Sequence, residues 1–200
     1  MITCGKTQIK KKQKGFSTAE FIVVFLVISI LFVLALPQLI ASRRQSRFSE
    51  MQRQIVAFLT EAKEKAILQS QPVSFRYDNS AKRIVIYGGG FGALGDSKNK
   101  VADLAGRAGL DASEVVYGRL GGVATPLLDT SNMTILSGGV VDITFQSAGS
   151  VSDGSNNPVN NALCFYNINN PQATAFAVSI LGADGRIKTW RYSKSLKTYV

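Results

Sequence analysis

One carboxylate stands where a lipid bilayer would exclude it. Glu20 opens a nearly unbroken apolar stretch that runs from Phe21 to Ile40. Twenty helical residues reach about 30 Å, at about 1.5 Å per residue, which is the thickness of a hydrocarbon core. An acid inside such a span costs about 2.5–3.5 kcal/mol on insertion scales, so it calls for a cationic partner. A second set of charges closes the chain. After the final acid, Asp184, come Arg186, Lys188, Arg191, Lys194 and Lys197, with Trp190 and Tyr192 between them. Cations in that arrangement suit phosphate, bound without sequence preference and with strong salt dependence, and exposed aromatics stack on single-stranded bases. The same residues also read as a core tryptophan beside a strand edge that its lysines guard against aggregation.

Other chemistry is missing. The chain has no histidine, which removes histidine-based triads and most zinc sites. The acids are scattered singly, with no close carboxylate pair of the glycosidase kind. Gly88-Gly89-Gly90-Phe91-Gly92 is rich in glycine, but no Lys-Ser or Lys-Thr follows to complete a phosphate loop. Cys164, between Leu163 and Phe165, reads as a small buried hydrophobe. No enzyme, cofactor or metal is expected.

These residues must be positioned by a long helix and a sheet domain. Past Pro37, which removes a backbone donor and is expected to bend the helix, Phe48, Met51, Ile55, Leu59, Ala62 and Ala66 recur at spacings of three and four. They make one apolar stripe. Glu61 and Lys65 lie four apart in the favourable order for a helix pair. Arg43, Arg44 and Arg47 follow the apolar span and read either as a solvated face or as contacts to lipid phosphates or neighbouring subunits. Gln71-Pro72 ends the helix.

After Pro72 the period falls to two. Residues 73–77 and 83–87 flank Asp78-Asn79-Ser80 as a hairpin. Strands are expected at 140–146, 162–168, 175–181 and 186–192, with a tight turn at Ala183-Asp184-Gly185. Residues 88–130 read as a glycine-rich insertion, with a short helix near 100–108 and a strand near 114–119. The predicted fold is α+β. A helix over 16–69, with a transmembrane part at about 21–40 and an amphipathic part at 41–69, packs on an antiparallel sheet domain of residues 70–200.

Gly15-Phe16-Ser17-Thr18-Ala19-Glu20 and the apolar run after it resemble the class III signal of type IV pilins and type II secretion pseudopilins. Thr18-Ala19 replaces the larger apolar pair usual in that family. The resemblance implies a cytoplasmic leader, residues 1–15, cut after Gly15 by a prepilin peptidase, and N-methylation of Phe16. It implies that Glu20 pairs with the terminal amine of a neighbouring subunit, and it places Pro37 at the family's helix proline. Cys4 would leave with the leader. So would five lysines and no acid, taking five from the net charge of +10.

An ordinary secretory signal has a shorter apolar core and a small-x-small cleavage site, of which Leu39-Ile40-Ala41 is a poor version. A plain signal anchor leaves Glu20 unexplained. The lysines before the span orient it with the N-terminus cytoplasmic.

In the second half, Asp142 to Phe145, the turn at Gly149, Leu163-Cys164-Phe165, Ala177 to Ile180 and Gly182 to Lys188 resemble in their order the C-terminal domain of GspH/FimT minor pilins. That implies an inner-membrane protein with a periplasmic domain, assembling with other major and minor pilins or pseudopilins in a pilus or a secretion pseudopilus. Gly185-Arg186-Ile187-Lys188 resembles the Gly-Arg-x-Arg element through which some FimT pilins bind DNA. Here the last position is lysine, which meets phosphate as a point charge without arginine's planar fork.

Overall fold

A computed structural model of the chain describes residues 18–88, 100–120, 133–153 and 157–200. Two compact units divide the chain, Met1–Ala41 and Ser42–Val200. Helix α1 (Thr18–Gln69) contributes to both. In the first unit Thr18–Leu36 is long and apolar enough to cross a membrane, and none of it is buried within the chain.

In the second unit every member of the expected stripe is buried: Phe48, Met51, Ile55, Leu59, Ala62 and Ala66, joined by Phe58. Periodicity therefore places this face correctly, because only an apolar stripe at helical spacing can lie flat on a sheet. The helix stops where Ser70 takes a left-handed conformation, with φ of 52°. The amides of Ser70 and Gln71 donate back to the carbonyls of Ile67 and Ala66, both at 3.3 Å. That pair of bonds is a Schellman cap, with serine where glycine is usual.

The single sheet predicted by the strand pattern is in fact two. Strands β1 (Val73–Asp78) and β2 (Arg83–Gly88) form the expected hairpin. The Asp78 carboxylate pins its turn by accepting from the amides of Ser80 and Ala81 at 2.9 and 3.1 Å. Strand β3 (Lys100–Asp103) adds to β2, and β5 (Val140–Phe145) adds to β1, giving the order β3-β2-β1-β5. The second sheet comprises β4 (Val115–Tyr117), β6 (Asn161–Asn167), β7 (Phe176–Ile180), β8 (Ile187–Ser193) and β9 (Thr198–Tyr199), ordered β4-β6-β7-β8-β9. All the pairings are antiparallel. Short helices α2 (Leu104–Arg107) and α3 (Pro171–Thr174) lie between strands.

Within 88–130 the strand expected near 114–119 is present at 115–117, as the outer strand of the second sheet. The short helix expected near 100–108 is confined to 104–107, because residues 100–103 are a strand instead. The four residues of β3 are too few for alternation to show in the sequence. Gly89 to Gly95 and Gly121 to Pro126 lie outside the described residues.

Aromatic rings join the layers. Tyr77 of the first sheet meets Tyr117 and Phe165 of the second at centroid distances of 5.4 and 5.1 Å, and Phe165 stacks on Phe176 at 5.5 Å. Phe48 of α1 then meets Phe176 edge-on at 6.4 Å. Such ring pairs contribute about 0.5–1.5 kcal/mol each beyond the area they bury. A second, smaller cluster covers the other face of β6 and β7, with Ala162, Cys164, Ala175, Ala177, Trp190 and Tyr199. Strand β7 is consequently buried at all five positions, and its sequence, apolar except for Ser179, shows no alternation.

Candidate functional site

In the first unit Glu20 lies in the first turn of α1 and is exposed, followed by exposed apolar side chains from Phe21 to Leu36. Phe21 and Phe25 stack at 6.4 Å, and the Ser29 hydroxyl donates to the Phe25 carbonyl at 2.8 Å. Ser29 thus spends its hydrogen-bonding capacity inside the helix, which suits an apolar medium. Glu20 is left as the one ionisable side chain between residues 18 and 36. Position 37 lies within α1. The expected cleavage and methylation site, Gly15 and Phe16, lies outside the described residues.

In the second unit the basic residues near the end of the chain are spread over β8 and the turns at either end of it. Arg186 precedes β8, and its carbonyl accepts the Leu181 amide at 2.9 Å. Lys188 and Trp190 share the face of β8 turned away from α1, with Lys188 Nζ 4.0 Å from the centre of the Trp190 ring. Arg191 points the opposite way and donates to the Ser49 hydroxyl of α1 at 3.1 Å. Lys194 lies in the β8–β9 turn, as does Lys197, whose φ is 51°. Arg186 and Lys188 are therefore neighbours, whereas Arg191 faces the helix and the two lysines sit at the far end.

Trp190 belongs to the core. It is 9 % exposed, and its indole N–H donates to Ser179 Oγ at 2.8 Å. Of the two readings of this residue, the structural one holds.

Arg191 separates two depressions along α1. One, of about 70 Å³, lies among Gln45, Phe48, Ser49 and the segment 173–176. The other is an open groove of about 380 Å³ lined by Gln52, Arg53, Val56, Ala57, Thr189 and Arg191. Gln52 is buried within the apolar stripe because its amide donates to the Trp190 carbonyl at 3.2 Å.

The turn that carries Arg186 is held by residues the sequence did not single out. Lys63 Nζ donates to the carbonyls of Asp184 and Gly185 at 2.8 and 3.2 Å. The Asp184 carboxylate accepts the Arg186 amide at 2.9 Å. Gly185 has φ of 60°, which glycine adopts without penalty. No local signal marks Lys63, since its partners lie more than 120 residues away.

Arg44, read either as part of a solvated face or as an outward contact, pairs with Glu114 at 3.4 Å, and Glu114 in turn accepts from the Asn167 side-chain amide at 3.0 Å. Lys65 meets Glu61 as expected, at 3.1 Å, and Lys100 joins them from β3. Partial burial alone would raise Glu61, but the hydrogen bonds and charges of Lys100 and Lys65 overcome it and hold the carboxyl below its ordinary value. Burial pushes the Cys164 thiol up to about 12, so it stays protonated and inert. No group of three or more potential metal ligands occurs among the described residues.

No family model matches the sequence. No curated protein matches it either. Among solved structures the chain is similar to the type IV minor pilin FimU of Pseudomonas aeruginosa strain PAO1. The identity is 19 % and the TM-score 0.43, over 72 % of this chain and 85 % of that one.

Proposed function

We propose that this chain is a minor pilin of the GspH/FimT kind, a structural subunit rather than an enzyme. One observation carries the reading: a fully exposed, bilayer-length apolar helix whose sole ionisable side chain, Glu20, sits at its start. Such a carboxylate is tolerated in hydrocarbon when a fixed cation meets it. A processed neighbour's terminal ammonium at Phe16 supplies one. The leader is removed after Gly15 by a prepilin peptidase, the helix anchors the chain in the inner membrane as a single pass, and the sheet domain stands in the periplasm. Assembly with other pilins then initiates or tips a filament.

The test is the N-terminal mass of the protein from its native host, expected at methylated Phe16; an intact leader there overturns the reading. Glu20→Ala is expected to leave membrane insertion intact and to abolish incorporation into filaments. Undiminished incorporation of that variant would count against the pairing role.

A further inference from the structure

Strand β8 has an open edge beside a groove, and we infer that it accepts an acidic, extended segment of a partner protein as an added strand. The backbone settles which groups are on offer. Arg186 and Tyr192 bond to Leu181 and Ala175 on the β7 side, whereas Arg191 exchanges both of its bonds with Val200, at 2.9 Å each. Backbone direction alternates along a strand, so Ile187 and Thr189 point the same way as Arg191. Strand β9 pairs only with Tyr192 and Ser193. Among the described residues no strand covers Ile187 or Thr189 on that side. Two amides and two carbonyls are left in the geometry that a continuing strand would take.

The surroundings specify the occupant. Thr189 lines the groove with Val56 and Ala57, so a residue placed opposite it directs an apolar side chain there. Residues opposite Lys188 and Arg186 project to the other face, beside two exposed cations. Neither β8 nor β9 carries an acid, and Arg53 and Arg191 flank the groove. A second copy of the same edge would bring lysine against arginine, which like-charge repulsion opposes. An alternation of acidic and apolar residues satisfies both faces. A nucleic acid would satisfy the cations but leave the four backbone groups unused.

The probe is fluorescein-labelled Glu-Val-Glu-Val-Glu added to the full chain in detergent micelles, with binding read by anisotropy. In an antiparallel register the two valines lie opposite Thr189 and Ile187. N-methylation of either valine is expected to weaken binding by about tenfold or more, and N-methylation of the central glutamate to leave it unchanged. Thr189→Pro removes only the outward amide, at a sheet edge where proline is tolerated. It should lose the peptide to the same degree with an unchanged melting temperature, and the N-methyl series decides the matter if that variant fails to fold. Absence of binding overturns the proposal, as does a loss that ignores which residue is methylated. It is equally overturned if oligothymidylate displaces the peptide and binds wild type and Thr189→Pro alike, since the surface would then be a polyanion site.

Discussion

Gly185 and Gly149 meet backbone to backbone: a Cβ on Gly185 would stand 2.0 Å from the Gly149 carbonyl oxygen. The two turns, one after β5 and one before β8, are locked together there beneath the side chain of Lys63. Gly185→Ala must break this contact and also strain a positive φ. It is expected to cost about 3 kcal/mol or more in a denaturant titration. Gly88→Ala, where nothing lies within 4 Å, is the matched control and should change stability little.

The cap of α1 points the other way. Ser70 occupies a conformation in which an L side chain crowds its own backbone, at a cost of about 1–2 kcal/mol. Ser70→Gly relieves it at the expense of a more flexible unfolded chain. We expect a net gain of about 0.5–1 kcal/mol, measured as a higher melting temperature.

Acid should unfold the sheet domain in part through Glu61 and Asp78. Partial burial would raise Asp78, but the Ser80 hydroxyl, the Ala81 and Ser80 amides and the charge of Arg83 lower it overall. Both folded values thus lie below the unfolded ones of 4.5 and 3.8. Protons then bind the unfolded chain first. Stability is full above those unfolded values and drains away as pH falls through the folded ones. Glu61→Gln is expected to flatten this part of the pH–stability curve while leaving the neutral-pH fold intact.

Trp190→Phe keeps most of the ring but removes the indole donor, leaving the buried Ser179 hydroxyl unpaired. The expected loss is about 1–3 kcal/mol. Trp190→Phe with Ser179→Ala should recover part of that loss, since no polar group then stays unsatisfied. Thermal melts of the three variants measure it.

Much of this architecture can be read from residue order, and the failures share a cause. The α1 stripe, its end before Pro72 and the β1–β2 hairpin follow from local periods and turn residues, which need no knowledge of distant partners. Strand β3 escapes because four residues carry too little alternation, and β4 is expected only in rough outline, near 114–119. Their pairing is decided by β2 and β6 instead. The division into two sheets is likewise invisible, since β5 joins β1 across more than sixty intervening residues. At the site, the type and order of the basic residues are plain in the sequence. Their faces are not, because Arg191 turns toward Ser49 only once α1 is docked on the sheet. Gly15 and Phe16 rest on the motif alone.

The two carbonyls grasped by Lys63 make α1 intolerant of miscounting. Adding or deleting one residue between Phe48 and Lys63 would swing everything downstream by about 100° around the axis. The ammonium would leave the turn just as Leu59 and Ala62 left the core. Evolution can lengthen the loops of this protein, but between those two residues it can only exchange one side chain for another.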